Sequence, residues 1–157
     1  MKALVTYFSA SGVTAGLAKR LAEAVSATLY EIRPAVPYSR ADLDWTNKQS
    51  RSTVEMLDKS CRPELADTDA PVADADVIFV GYPVWWYREP SIIDSFLSAY
   101  DFSGRKIVLF ATSGGSDIGA EAPARAAEIT KATVVPGRRF PANTAVLELR
   151  AWAEQYC

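Results

Sequence analysis

The chain contains no histidine. That absence excludes imidazole general bases, His-dependent nucleophile triads and histidine metal ligands together. Cysteine is scarce: Cys61 and Cys157 are the only two, and they form neither a C-x-x-C pair nor a zinc pattern. Two isolated cysteines are expected to be free thiols in a reducing compartment. Charge of one sign is also missing. Seventeen Lys and Arg stand against 19 Asp and Glu, a net charge of −2, which argues against a nucleic-acid partner or an anionic membrane surface. No stretch approaches the roughly 20 apolar residues of a membrane span. The apolar run after Lys2 is too short for a secretory leader. A cytoplasmic location without membrane insertion is the expectation.

What is present is an alternation. The 157 residues suit one domain, 1–157, able to bury one sizeable core. Ala3 to Phe8 reads as a buried strand, and Leu17, Leu21 and Val25 mark a helix from about Gly12 to Ala27. Thr28 to Ile32 alternates as a second strand, ended by Pro34 and Pro37. Residues 34–75 then form a polar excursion between strands two and three. A helix is expected there over Asp42 to Asp58, with Leu43, Val54 and Leu57 inward, because a structureless connection of this length is uncommon. Val77 to Tyr82 is the continuous apolar run of a central parallel strand. A helix follows from about Pro90, with Ile92, Ile93, Phe96 and Leu97 on its buried face. Lys106 to Thr112 gives a fourth strand, Pro123 to Lys131 a helix, and Thr133 to Pro136 a weak last strand. Asn143 is the expected cap of a final helix through Val146, Leu149 and Trp152. Right-handed crossovers then imply a three-layer α/β/α sandwich around a five-stranded parallel sheet of order 2-1-3-4-5.

Three loops leave the same sheet edge. After strand one, Ser9, Ala10, Ser11, Gly12, Val13 and Thr14 combine hydroxyls, a glycine and a helix start, which suits a phosphate; an ordinary N-capped helix gives the same pattern. The loop lacks the lysine of an ATP-binding loop and the spaced glycines of a dinucleotide fingerprint. It also lacks the nucleophilic cysteine of a small phosphatase and the acidic cluster of a phospho-acceptor domain. After strand three, Pro83 and Val84 lead into Trp85, Trp86 and Tyr87. Three consecutive aromatics cannot all point inward, so at least one is expected outside, as a stacking plate or as a partner surface. After strand four, Thr112, Ser113, Gly114 and Gly115 leave backbone donors accessible to a polar ring edge and a sugar alcohol. A phosphate, a polyol and a flat heteroaromatic ring describe flavin mononucleotide (FMN).

These segments carry a family resemblance. SxSGxT at Ser9 to Thr14, YPxWW at Tyr82 to Trp86 and ATSGGS at Ala111 to Ser116 resemble the flavodoxins, and the likeness extends to Tyr38, Asp42-Leu43 and Arg62-Pro63 in the excursion. The resemblance implies a flavodoxin-like fold and noncovalent FMN. Carried over, Ser9, Ser11, Gly12 and Thr14 hold phosphate, with Ala10 and Val13 beside them. Pro83, Val84, Trp85 and Trp86 flank the ring, and Thr112, Ser113, Gly114 and Gly115 contact the ribityl chain and pyrimidine. No catalytic residue and no metal ligand is implied.

The implied function is electron transfer between redox partner proteins. The alternatives are an FMN-dependent NAD(P)H:quinone-type oxidoreductase and a flavin-free binding module. Two departures from the family stand out. The chain is only mildly acidic, which weakens electrostatic docking of a partner. No glycine or asparagine lies between Pro83 and Pro90, so a positive φ there would cost about 1–2 kcal/mol, and weaker stabilisation of the one-electron-reduced cofactor is expected. Arg88 is read as a solvated residue ahead of the helix; the alternative is that it points back over the flavin N1, where it would raise the reduction potential.

Overall fold

The computed structural model describes residues 2–112 and 117–157. Five parallel strands form one sheet: β1 (Ala3–Tyr7), β2 (Thr28–Glu31), β3 (Val77–Pro83), β4 (Lys106–Thr112) and β5 (Thr133–Phe140), in the order 2-1-3-4-5. Helices α1 (Val13–Val25) and α5 (Val146–Ala153) cover one face, and α3 (Ser91–Ala99) and α4 (Ala122–Thr130) the other. This is the expected three-layer α/β/α sandwich. Strand periodicity divides the core in two. Leu4, Ile78, Val80, Ile107 and Leu109 face α3 and α4, whereas Val5, Phe79, Val108 and Phe110 face α1 and α5. Both faces are buried, which is why β3 and β4 read as unbroken apolar runs.

Several boundaries differ from expectation, each for a local reason. β5 runs four residues past Pro136, to Phe140. Its register against β4 shifts between Val108 and Phe110, and an edge strand tolerates a proline at such an irregularity. The final helix starts later than Asn143 would place it. The Thr144 hydroxyl donates to the Pro141 carbonyl at 2.7 Å in a preceding turn, and the N-cap is Ala145, with no side-chain cap.

The excursion departs most. Its neck is closed by an antiparallel bridge between Pro34 and Leu65, with Ala35 N–H donating to Glu64 and Ala66 N–H to Arg33, both at 2.8 Å. Its helix, α2, spans only Arg51–Leu57. Upstream, short polar side chains satisfy the backbone instead of a helical ladder, as Asp and Ser do at turns. Ser39 N–H donates to Asp42 at 2.9 Å while Asp42 N–H donates to Ser39 Oγ at 3.1 Å, and Asp44 Oδ1 accepts from Thr46 N–H at 3.0 Å. The inward face of α2 is also reversed. Ser52, Thr53 and Met56 are buried, whereas Val54 and Leu57 are exposed. That helix packs on a polar cluster at the base of α3, where Ser91 Oγ donates to the Glu55 carbonyl at 3.2 Å.

Candidate functional site

Parallel register aligns the carboxyl ends of β1, β3 and β4. Tyr7 sits beside Gly81, Pro83 beside Thr112, and Phe8 N–H donates to the Gly81 carbonyl at 3.0 Å. The loops leaving these strands therefore share one edge, at the switch point where open α/β sheets bind ligands.

In the first loop, Gly12 is the N-cap of α1, at φ 92° and with no side chain capping the helix. This left-handed backbone is one that glycine adopts without strain. A Cβ there would meet nothing within 4 Å among the described residues, so the volume around it is open to them. The first-turn N–H groups have no intrahelical partner by construction. Ser9 Oγ shapes the loop by accepting from Gly12 N–H at 3.1 Å. Ser11 and Val13 are exposed, Ser9 and Ala10 half-buried. The Thr14 side chain is buried, and its hydroxyl shares a 2.8 Å hydrogen bond with that of Thr112, which ties the first loop to β4. The donor set is neutral. Arg33, the guanidinium on the adjoining cleft of about 400 Å³, is paired with Asp67 at 2.6 Å.

The second loop is a two-residue reverse turn. Trp85 and Arg88 form an antiparallel bridge, each N–H donating to the other's carbonyl at 3.0 Å. Between them Trp86 and Tyr87 both take positive φ, 46° and 62°. The strain anticipated for a bulky residue is thus already present, at two positions, at about 1–2 kcal/mol each. Tyr87 is 80 % exposed and Trp86 38 %. Trp85 is half-buried and packs edge-on against Phe8 and Tyr38, at centroid distances of 5.6 and 5.5 Å. Arg51 lies over the other partner ring, 3.9 Å from the centre of Tyr38. Burial, then the hydrogen bond to Glu55, push the Tyr38 phenol well above its ordinary range. Val84 N–H donates to the Thr112 carbonyl at 3.1 Å. Val84, Trp85, Trp86 and Tyr87 line a cleft of about 300 Å³ together with Trp45 of the excursion.

Arg88 is not solvated. It is 5 % exposed, and its guanidinium donates to the Met56 and Glu89 carbonyls at 3.0 and 3.1 Å. It lies 3.8 Å from Glu89 and 3.6 Å from Asp94, while Arg125 of α4 binds the same carboxyls at 2.8 and 2.6 Å. Arg62 approaches Asp94 from the excursion at 3.8 Å. Among the described residues Glu89 Oε2 and Asp94 Oδ1 are buried without a donor, so a hydrogen bond between the two carboxyls requires a proton on one of them. Burial, then the neighbouring Asp94, raise the Glu89 carboxyl to about 7. The cluster anchors the aromatic turn from beneath.

Of the third loop, Thr112 is described and buried; Ser113, Gly114 and Gly115 lie outside the described residues. The loop's far end reaches the aromatic turn. Tyr82 Oη donates to the Ile118 carbonyl at 2.7 Å, and Gly119, at φ 101°, sits so close that a Cβ would lie 2.7 Å from the Tyr87 carbonyl oxygen. Trp45, Gly119 and the Glu89–Asp94 pair were not among the expected site residues. A lone tryptophan in the polar run Asp42–Ser52 is the one signal that could have pointed to the first; contacts between distant segments carry no sequence signature. Among the described residues no group of three or more acidic or cysteine side chains could hold a metal ion, and no helix is long and apolar enough to cross a membrane.

A family model for flavodoxins matches residues 2–156. Two solved structures of candidate flavoproteins, from Bacteroides eggerthii and Bacteroides uniformis, are each 41 % identical over 98 % of this chain, covering 96 % and 97 % of theirs, both at TM-score 0.88. A Lactobacillus acidophilus flavoprotein solved in complex with FMN shares the fold at TM-score 0.68 and 20 % identity, covering 97 % of this chain and 98 % of its own. No match was found among curated proteins. With its strand order, its edge of three converging loops and this match along nearly the whole chain, the protein belongs to the flavodoxin family.

Proposed function

We propose that the protein binds FMN noncovalently and carries electrons between redox partners. The observation that bears most weight is the pairing of the open, uncapped start of α1 at Gly12 with an outward aromatic turn on the adjacent strand. Helix N–H groups and the Ser9 and Ser11 hydroxyls suit a phosphate, and an exposed indole suits a flat ring. The FMN-bound Lactobacillus relative supports the same cofactor. When bound, FMN supplies the redox chemistry, and the chain supplies binding and orientation.

The residues act as a fixed frame. Thr14 and Thr112 lock the phosphate loop to β4, and the Trp85–Arg88 bridge fixes the aromatic turn. The bulky Trp86 and Tyr87 stand outward at the aromatic turn and take up room that a nicotinamide would need above a bound ring, which favours a carrier over an NAD(P)H-dependent reductase.

The test is a visible titration. Purified protein supplied with FMN should turn yellow and, under stepwise anaerobic reduction, pass through a third spectral species. Direct bleaching between two species would move the reading to a two-electron reductase. No flavin uptake would remove the cofactor assignment. Ser11→Ala should weaken FMN binding by about tenfold and leave riboflavin, which lacks the phosphate, unaffected. Thr14→Ala is a poorer probe, because its hydroxyl is a buried structural tie.

A further inference from the structure

Trp45 is 75 % exposed, and the turn that presents it is polar. That turn is pinned at both ends. Ser52 N–H donates to the Asp42 carbonyl at 3.0 Å, and Asp44 accepts from Thr46 N–H at 3.0 Å. The indole is thus held outward by a fixed turn, with most of its apolar surface in water. Its position is not arbitrary: it faces Val84, Trp85, Trp86 and Tyr87 across the cleft of about 300 Å³. The same excursion supplies Tyr38, which supports Trp85 edge-on from the other side at 5.5 Å. One segment therefore both braces the aromatic plate and looks back at it.

We propose that the 34–75 excursion is part of the ring site, with Trp45 as its outer wall, so that a flat heteroaromatic ring lies between the Trp45 indole and the Val84–Trp86 segment. This rests on the FMN reading above and assigns the excursion a role within it. Four of the five residues that line the cleft are aromatic, the chemistry that accepts a planar ring. Aromatic pairs prefer offset or edge-on contact, and an indole on a separate segment can meet the ring in either way.

The test measures the dissociation constants of FMN and riboflavin by flavin fluorescence for the full-length wild type, Trp45→Ala and Trp45→Phe, with gel filtration of each protein. Because the indole is exposed, its removal should leave the melting temperature unchanged. Trp45→Ala should weaken both ligands by the same factor, about three- to tenfold, and Trp45→Phe should recover most of it. Equal affinity in wild type and Trp45→Ala overturns the proposal while leaving the FMN reading intact. Loss confined to FMN also overturns it, because the effect would then act through the phosphate. A wild-type dimer that Trp45→Ala converts to monomer, with flavin affinity unchanged, would show that a second copy covers the indole instead. Failure of the wild type to bind either ligand overturns the FMN reading and the proposal together.

Discussion

At the scale of single residues, the aromatic turn is where local preference and observed geometry conflict. Two-residue turns with positive φ at both positions favour Asn and Gly, yet Trp86 and Tyr87 occupy them at 46° and 62°. The conformation persists because its surroundings fix it. The Trp85–Arg88 double hydrogen bond closes the turn, Arg88 is anchored in the charged cluster, and the backbone of Gly119 packs against the Tyr87 carbonyl. Tyr87→Gly should relieve about 1–2 kcal/mol of strain against about 0.5–1 kcal/mol of added chain entropy. The expected outcome in urea unfolding is a gain of up to about 1 kcal/mol; a loss of that size would show that the exposed ring contributes packing. Gly119→Ala should do the reverse. It places a methyl group 2.7 Å from the Tyr87 carbonyl oxygen at φ 101°, and it should cost about 1–3 kcal/mol in the same assay. Unchanged stability would show that the two loops separate without penalty.

At the scale of elements, the Glu89–Asp94 pair couples α3, α4 and the aromatic turn to pH. Glu89 is 2 % exposed, and its carboxyl is raised from 4.5 to about 7 by burial and then by Asp94. A carboxyl that binds its proton more tightly when folded stabilises the fold fully below its unfolded value. That stabilisation is lost as pH rises through about 7. Carboxylates such as Asp42, Asp44 and Asp67, which backbone and hydroxyl donors hold below their usual range, act oppositely, and only at pH values below their ordinary range. Thermal stability should therefore be higher at pH 5 than at pH 8. Glu89→Gln, whose amide can donate permanently to Asp94, should flatten that slope; an equal slope in the variant would place the titrating group elsewhere. Such a pair is hard to read from sequence, because Glu89, Asp94 and Arg125 come from three elements. The strands were legible because burial on both faces gives continuous apolar runs. α2 differs from expectation because Val54 and Leu57 mimic a buried stripe in a segment whose turns are set by Ser39, Asp42 and Asp44.

At the scale of the whole molecule, the site is an edge property rather than a pocket cut into the core. β1, β3 and β4 end in register, and ties such as Thr14–Thr112 and Tyr82–Ile118 hold their loops to one another. This is why motif order along the chain placed the first two loops at that edge, whereas the position of the excursion beside it could not be read. Nothing in its polar sequence says which face of the sheet it returns over. A ligand that bridges these loops should stabilise the entire fold, since it binds the native state alone. FMN at about 100 times its dissociation constant contributes about 2.7 kcal/mol, which for a domain of this size corresponds to roughly 5–10 °C in melting temperature. Riboflavin at the same concentration should give a smaller shift, because the Gly12–Thr14 helix start has no phosphate to hold. Thermal melts at matched ligand concentrations measure both. Equal shifts would mean that the ring loops alone bind the ligand and that the start of α1 is an ordinary helix terminus; no shift with either would separate this sheet edge from flavin altogether.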